Sequence, residues 1–286
     1  MKKKLAIVLS LALSVGIVFA GCSKKSDTSK DASKDNGKIV CIGSSTLAPV
    51  ISKAGDSLKD KTIKVSVSSG GSGAGVKAAI EKTANFGLVS REVSGEEKGK
   101  MKNYKEIKLG FDALTVSVNP KNEILKDKES LTKEEIQKIF SGEAKYWSDV
   151  DSKLPKEKIV LVVRDAGGGA AKVFKKAVMG DKKVSKDAIQ APSMGALTQK
   201  IIDNKNAIGY ASVGLVKQNE GKLIPMAVDG IKPTRENILN KKYKISRPLL
   251  VVKDGDLNDK EKTFVDFLKS DKGLKIVDDS GFISNK

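Results

Sequence analysis

The segment Ile39-Val40-Cys41-Ile42-Gly43-Ser44-Ser45-Thr46-Leu47 indicates the fold class, because small polar residues in it join an apolar run to a helical pattern. Residues 39–42 predict a buried strand, and 47–58 carry apolar residues at helical spacing. The same order then recurs, which is typical of an α/β fold. Further strands are predicted over 63–67, 86–89, 111–118, 159–163, 207–211 and 248–252, and helices over 76–82, 131–140 (with Thr132 and Glu135 spaced as a capping box), 170–179, 195–203, 259–268 and 272–277.

The composition excludes several classes of protein. The chain of 286 residues has 53 Lys and Arg against 35 Asp and Glu, a formal charge of +18, and only four of these cations are Arg. Histidine is absent and there are two cysteines, which excludes Ser/His and Cys/His catalysis and the common zinc sites. With aromatic residues at 5%, the basic surface lacks the stacking groups of a nucleic-acid platform. We therefore expect no enzyme, no cofactor or metal, and no nucleic-acid partner.

The N-terminus has the pattern of an export signal. Three lysines precede the apolar residues 5–19, small residues follow, and Cys22 comes directly after Gly21. This placement resembles a bacterial lipobox, which implies cleavage after residue 21 and lipid attachment at Cys22; the alternative is an ordinary cleavable signal with a chance cysteine. Residues 22–37 are too polar to bury and are expected to form a flexible tether. The expected location is the extracytoplasmic face of the cell membrane, held by the lipid anchor.

Three segments place glycine and small polar residues between a predicted strand and a predicted helix, namely residues 43–46, 68–75 and 164–171. The start of a helix leaves N–H groups without partners and carries partial positive charge, so it favours an anion. Each segment alone could be a simple helix cap. Because open α/β sheets bind ligands at such junctions, the three together predict an anion site.

Six motifs occur in a fixed order along the chain: Gly43-Ser44-Ser45-Thr46-Leu47-Ala48-Pro49-Val50, Gly70-Gly71-Ser72-Gly73-Ala74-Gly75, Ser90-Arg91-Glu92, the segment 131–147, Ala207-Ile208-Gly209-Tyr210-Ala211-Ser212 and Tyr243-Lys244-Ile245-Ser246-Arg247-Pro248-Leu249. Together they resemble the phosphate-binding lipoproteins of bacterial ABC phosphate importers, from about residue 38 to the C-terminus. The resemblance implies a two-lobed periplasmic-binding-protein fold of type II with two crossovers between the lobes. It implies that 38–115 and 246–286 form lobe 1 and that 116–245 form lobe 2.

The resemblance also implies a ligand set drawn from these motifs. Thr46 and the Leu47 N–H group match the first anion contact of the family, Ser72 matches a hydroxyl donor, and Arg164 matches the cleft arginine. Because arginine is rare in this chain, Arg164 beside a glycine turn independently indicates a planar two-pronged donor; the alternative is a surface ion pair with Asp165. The full candidate set is Ser45, Thr46, Leu47, Ser72, Ser90, Arg91, Arg164 and the backbone N–H groups of Gly168, Gly169 and Ala170.

The third turn departs from the family pattern. The family has Ser-Gly-Thr where this chain has Gly168-Gly169-Ala170, and longer-chain relatives have an aspartate near the position of Ser90. Two lost hydroxyl donors at ~0.5 to 1.5 kcal/mol each would weaken affinity by roughly 5- to 150-fold. The leading interpretation is a monomeric protein that binds phosphate or a similar oxyanion and delivers it to the permease of an ABC transporter. The alternatives are a paralogue that binds another oxyanion, or phosphate only weakly, and a basic surface interaction protein.

Overall fold

The computed structural model describes residues 38–58 and 63–285; the predictions for residues 1–37, including Cys22, lie outside this range. Within it, ten strands form one mixed sheet in the order β2-β1-β3-β11-β4-β8-β6-β7, with β9 and β12 also paired to β4, and β5 and β10 form a small second sheet. The strands are β1 Lys38–Gly43, β2 Lys64–Ser69, β3 Phe86–Val89, β4 Tyr104–Val118, β5 Ser130–Leu131, β6 Val160–Arg164, β7 Ile189–Ala191, β8 Ala207–Ser212, β9 Ile224–Pro225, β10 Ala227–Val228, β11 Ser246–Asp254 and β12 Ile283–Ser284.

Helices connect these strands. They are α1 Ala48–Asp56, α2 Gly71–Ile80, α3 Gly95–Gly99, α4 Lys133–Ser141, α5 Gly169–Phe174, α6 Met194–Ile202, α7 Val213–Gln218, α8 Arg235–Leu239, α9 Asp259–Lys269 and α10 Asp271–Asp279. The capping box predicted at Thr132 and Glu135 is confirmed, with both reciprocal hydrogen bonds formed. The helix predicted over 170–179 is α-helical only to Phe174 and continues as a π-helical turn, Lys175–Met179. None of the helices within the described ranges is long and apolar enough to span a bilayer.

Strand β4 joins two parts of the large sheet. Its residues 104–113 pair with β11, while Leu114–Val118 pair with β8. We call β1, β2, β3, β11 and the start of β4 the first half-sheet, and the end of β4 with β6, β7 and β8 the second half-sheet. The sequence predicted only residues 111–118 of β4, because its first residues are polar and only partly buried.

Each half-sheet has its own apolar core. Phe86 and Phe264 pack in the first, with ring centroids 5.8 Å apart. In the second, Phe140, Phe174 and Tyr210 form a stack of neighbouring rings. The predicted anion-binding turns follow the carboxyl ends of β1, β2 and β6, all of which are parallel to a neighbouring strand. These ends are where α/β sheets present their loops to a ligand.

Candidate functional site

Three serine hydroxyls close the turns of the first half-sheet. Ser44 Oγ accepts hydrogen bonds from the N–H groups of Thr46 and Leu47, at 3.2 and 3.3 Å. It also lies 2.5 Å from Ser90 Oγ. Ser72 Oγ, in the first turn of α2, accepts a hydrogen bond from the Ser90 N–H at 3.0 Å. The structure therefore brings Thr46, Leu47, Ser72 and Ser90 together, with Ser44 as a centre that the candidate set lacked.

Arg164, the last residue of β6, reaches across from the second half-sheet. Its Nη1 donates to Ser45 Oγ at 3.1 Å, and its Nε donates to the Ala191 carbonyl at 3.0 Å. Nη2 forms an ion pair with Asp165 at 2.9 Å, yet the arginine side chain is only 3% exposed. The backbone N–H of Arg164 donates to the Tyr210 hydroxyl at 3.0 Å. Arg164 is thus held from four directions inside the protein, rather than forming a solvated pair at the surface.

The glycine turn that follows Arg164 touches the first half-sheet directly. A Cβ placed on Gly169 would lie 2.3 Å from Ser72 Oγ, so any larger residue there would force the two turns apart or displace Ser72. The Gly167 carbonyl accepts a long hydrogen bond of 3.4 Å from the Gly73 N–H. The Gly168 N–H donates to Asp165 Oδ1 at 3.0 Å, so this group is already bonded within its own turn. The N–H groups of Gly169 and Ala170 stay predicted ligands.

Arg247, in β11, is a second buried arginine at this place, and the candidate set lacked it. Its Nη2 donates to Thr46 Oγ1 at 3.0 Å, and its Nη1 donates to the Ser90 carbonyl at 3.4 Å. Nε and Nη2 both bind Asp112 Oδ2, at 2.8 and 2.7 Å. Because Thr46 Oγ1 accepts from Arg247, the hydroxyl proton of Thr46 is directed elsewhere and can be donated to an anion.

The carboxylate partner of Arg247 is fully buried. Asp112 stands opposite Arg247 in the register of β4 and β11, and its Oδ1 accepts a hydrogen bond from the Val213 N–H at 3.1 Å. Burial raises the pKa of the Asp112 carboxyl, and the Arg247 guanidinium opposes that rise. Arg247 was visible in the motif 243–249, but 135 residues separate it from Asp112. Nothing in the sequence pairs the two.

Arg91 is not brought into this cluster. Its guanidinium donates to both carboxylate oxygens of Glu97, at 2.7 and 2.8 Å. Partial burial disfavours the ionised Glu97, but hydrogen bonds from Arg91 and the Ser94 N–H, with the charges of Arg91 and then Lys172, outweigh it and lower the pKa of Glu97 to about 2. Arg91 therefore lies beside the cluster, bound to its own carboxylate.

The arrangement suits an anion with several acceptor oxygens. The first half-sheet supplies the hydroxyls of Thr46 and Ser72, and the second supplies the guanidinium of Arg164. Arg164 is balanced by Asp165, and Arg247 by Asp112, so the formal charges at the centre cancel. In the part of the chain that the structure describes, no group of three or more His, Cys, Asp or Glu side chains could hold a metal ion.

Comparisons with known proteins identify the family of this chain. A family model described as a PBP superfamily domain matches residues 28–272. A phosphate-binding protein PstS from Staphylococcus epidermidis is 32% identical over 299 residues, covering 99% of this chain and 90% of the relative. One from Staphylococcus haemolyticus is also 32% identical, over 99% of this chain and 93% of the relative. Both relatives are binding proteins by name, in agreement with the expectation that the chain is not an enzyme.

Solved structures give the same fold. A protein from Clostridium perfringens, described as a phosphate ABC transporter substrate-binding protein and solved with bound phosphate, superposes with a TM-score of 0.79. It is 29% identical, and the match covers 87% of this chain and all of that one. An ABC-type phosphate transport receptor from Vibrio cholerae has a TM-score of 0.70 at 26% identity, over 86% and 99% of the two chains. The predicted two-lobed type II fold is confirmed, and the chain belongs to the PstS family of phosphate-binding proteins within the PBP superfamily.

Proposed function

We propose that this protein binds inorganic phosphate between its two lobes and delivers it to an ABC transporter. The lobes are residues 38–115 with 246–286, and residues 116–245. The observation that carries the proposal is the position of Arg164, which is bonded to Ser45 of the opposite half-sheet beside the hydroxyls of Thr46 and Ser72. The names of the relatives support phosphate as the ligand and do not favour another oxyanion or a surface interaction role.

Each residue proposed to bind phosphate has a hydrogen-bond donor that a phosphate oxygen can accept. The Nη1 group of Arg164 supplies a charged hydrogen bond, which is about twice as strong as one between neutral groups. Thr46 supplies a hydroxyl proton that Arg247 leaves free, and Ser72 supplies another beside the glycine turn. Ser45 holds Arg164 and also accepts the Met194 N–H at 3.2 Å, so it joins the two lobes around the anion.

The missing hydroxyls of the glycine turn should reduce the selectivity for phosphate over sulfate. Gly168 and Ala170 have no hydroxyls, so we propose that binding is weaker, more sensitive to salt and less able to reject sulfate than in relatives with Ser-Gly-Thr. Isothermal calorimetry on the chain from Ser23 onward tests this with phosphate, arsenate, sulfate and molybdate. Phosphate and arsenate should bind at one per chain and sulfate measurably. A chain that takes up no phosphate at millimolar concentration would contradict the proposed function.

Closure of the lobes depends on Gly169. In the Gly169→Ala variant the new Cβ would meet Ser72 Oγ at 2.3 Å and the Ser90 carbonyl at 3.2 Å. Overpacking of this kind costs about 1 to 3 kcal/mol, so phosphate affinity should fall by about 5- to 150-fold. Calorimetry measures the loss. The matched control is Gly167→Ala in the same turn, where the nearest atom to the new Cβ is 3.9 Å away. If both variants bind like the wild type, the two turns do not close on each other.

We also propose that Cys22 is the lipid-modified first residue of the mature protein, anchoring it at the extracytoplasmic face of the membrane. The small residues before Cys22 and the polar segment after it support the proposal. Two acyl chains would be needed for stable anchoring, because one chain alone binds only marginally. Mass spectrometry of the mature N-terminal peptide should find Cys22 first and acylated. A different first residue, or an unmodified thiol, would disprove this proposal.

A further inference from the structure

A groove with a volume of about 510 Å³ adjoins the candidate site on one side. Its lining comes from both half-sheets at residues next to the site. Arg91 directly follows Ser90, and Lys172 lies three residues beyond Gly169. Arg247 lines the groove and donates to Thr46 Oγ1. The groove therefore runs beside Arg247, whose guanidinium is buried against Thr46 and Asp112.

The charge that could attract an anion lies in this groove rather than in the site. Arg164 and Arg247 each have a carboxylate partner, and Arg91 is bound by Glu97. Three exposed lysines, Lys172, Lys176 and Lys244, also line the groove. Among the described residues no carboxylate forms an ion pair with any of the three.

The three lysines converge from separate elements. Lys172 is on α5 and Lys176 on the π-helical turn that follows, while Lys244 precedes β11. The positive charge of Lys172 contributes to the lowered pKa of Glu97, which belongs to α3 beside the first half-sheet. Lys172 and Glu97 both line the groove. Besides Glu97, Glu92 is the only carboxylate along its lining, so positive charge prevails.

We propose that this groove is a capture site, where Lys172, Lys176 and Lys244 attract inorganic phosphate before it enters the cleft. The inference rests on the proposed function and adds the route by which the anion arrives. Charges on an exposed wall act through water, so they speed the encounter more than they hold the bound ligand. Their effect should also fade as salt shortens the range of the interaction.

The test is the rate of phosphate binding by the chain from Ser23 onward, followed by stopped-flow fluorescence of an environment-sensitive dye attached to the solvent-exposed position Ser57→Cys. The variant is Lys172→Gln with Lys176→Gln and Lys244→Gln. Three unit charges about 10 Å from a dianion should change the association rate constant by about 10-fold at about 10 mM ionic strength, and by about 2- to 3-fold at about 150 mM. The dissociation rate constant should change by less than about 2-fold, because the capture site does not hold the bound anion.

The matched control removes the same charge elsewhere, through Lys53→Gln, Lys262→Gln and Lys269→Gln, all exposed and outside the groove lining. If the two triple variants slow association equally, the effect is one of net charge and the capture site is refuted. A rise in the dissociation rate constant with unchanged association would also overturn it, since the lysines would then be ligands of the bound anion. Both results leave phosphate binding by the wild type intact. Failure of the wild type itself to bind phosphate would instead refute the proposed function.

Discussion

Replacing Arg164 with alanine should weaken phosphate binding by about 30- to 5000-fold. Truncating one partner of a buried, hydrogen-bonded charge pair costs about 2 to 5 kcal/mol, which corresponds to this range. The variant also leaves Asp165 without its cation next to the bound anion, so repulsion adds to the lost hydrogen bond. Calorimetry measures the change, and circular dichroism confirms that the variant is folded.

Two further variants define what Arg164 contributes. Arg164→Lys keeps the charge but loses the planar fork that serves Ser45, Ala191 and Asp165 together, so its affinity should lie between the wild type and alanine. Arg235→Ala removes the same charge from an arginine that is 56% exposed and pairs with Asp278. Phosphate affinity in this control should stay within about 2-fold of the wild type. An Arg164→Ala protein that binds as tightly as the Arg235→Ala protein would remove Arg164 from the site.

Replacing Asp112 with alanine should lower the free energy of unfolding by about 3 to 5 kcal/mol, the cost of leaving a buried charge without its partner. The Arg247 guanidinium would keep its charge in a place where its side chain is 1% exposed. The Val213 N–H would lose its acceptor at the start of α7 as well. Urea denaturation, analysed with the slope as well as the midpoint, measures the change.

A double variant separates the cost of an unpaired buried charge from the contribution of the Asp112–Arg247 ion pair itself. Asp112→Leu with Arg247→Met replaces both charges by apolar groups and should recover most of the stability that Asp112→Ala loses. Although its stability recovers, the double variant should bind phosphate more weakly than the wild type, because Arg247 no longer holds Thr46. Asp266→Ala, at an exposed position of α9, should change stability by less than about 0.5 kcal/mol. If Asp112→Ala is as stable as this control, the buried pair does not support the fold.

The turns could be predicted from the sequence because their chemistry is local. A strand that ends in glycine and serine before a helix places hydroxyls at the sheet edge, which predicts an anion site there. The choice of Thr46 and Ser72 among those hydroxyls is what the family resemblance implies. Arg164 was predictable because an arginine is rare in this chain and stands beside three glycines. The contact of Gly169 with Ser72 was not predictable, since it depends on how two lobes approach each other.

Arg91 and Arg247 differ in whether a local sequence pattern can show that they lie at the site. The sequence predicts Arg91 as a ligand because it follows Ser90, whereas in the structure it is Arg247 that contacts Thr46 and the Ser90 carbonyl. Arg91 is held away from the site by the capping box of α3. This capping box positions Glu97 so that its carboxylate binds both Ser94 and Arg91. Arg247 reaches the site only through the register of β4 and β11, a long-range pairing that no local pattern reveals.

The most direct measurement is a crystal structure of the chain from Ser23 onward with phosphate. We expect one phosphate between the lobes, with Arg164 Nη1 and the hydroxyls of Thr46 and Ser72 each within about 3.2 Å of a phosphate oxygen. Arg247 should remain bonded to Asp112 while holding Thr46. A phosphate bound elsewhere, or one between the lobes that Arg164 does not touch, would show that these three residues do not form a single anion site.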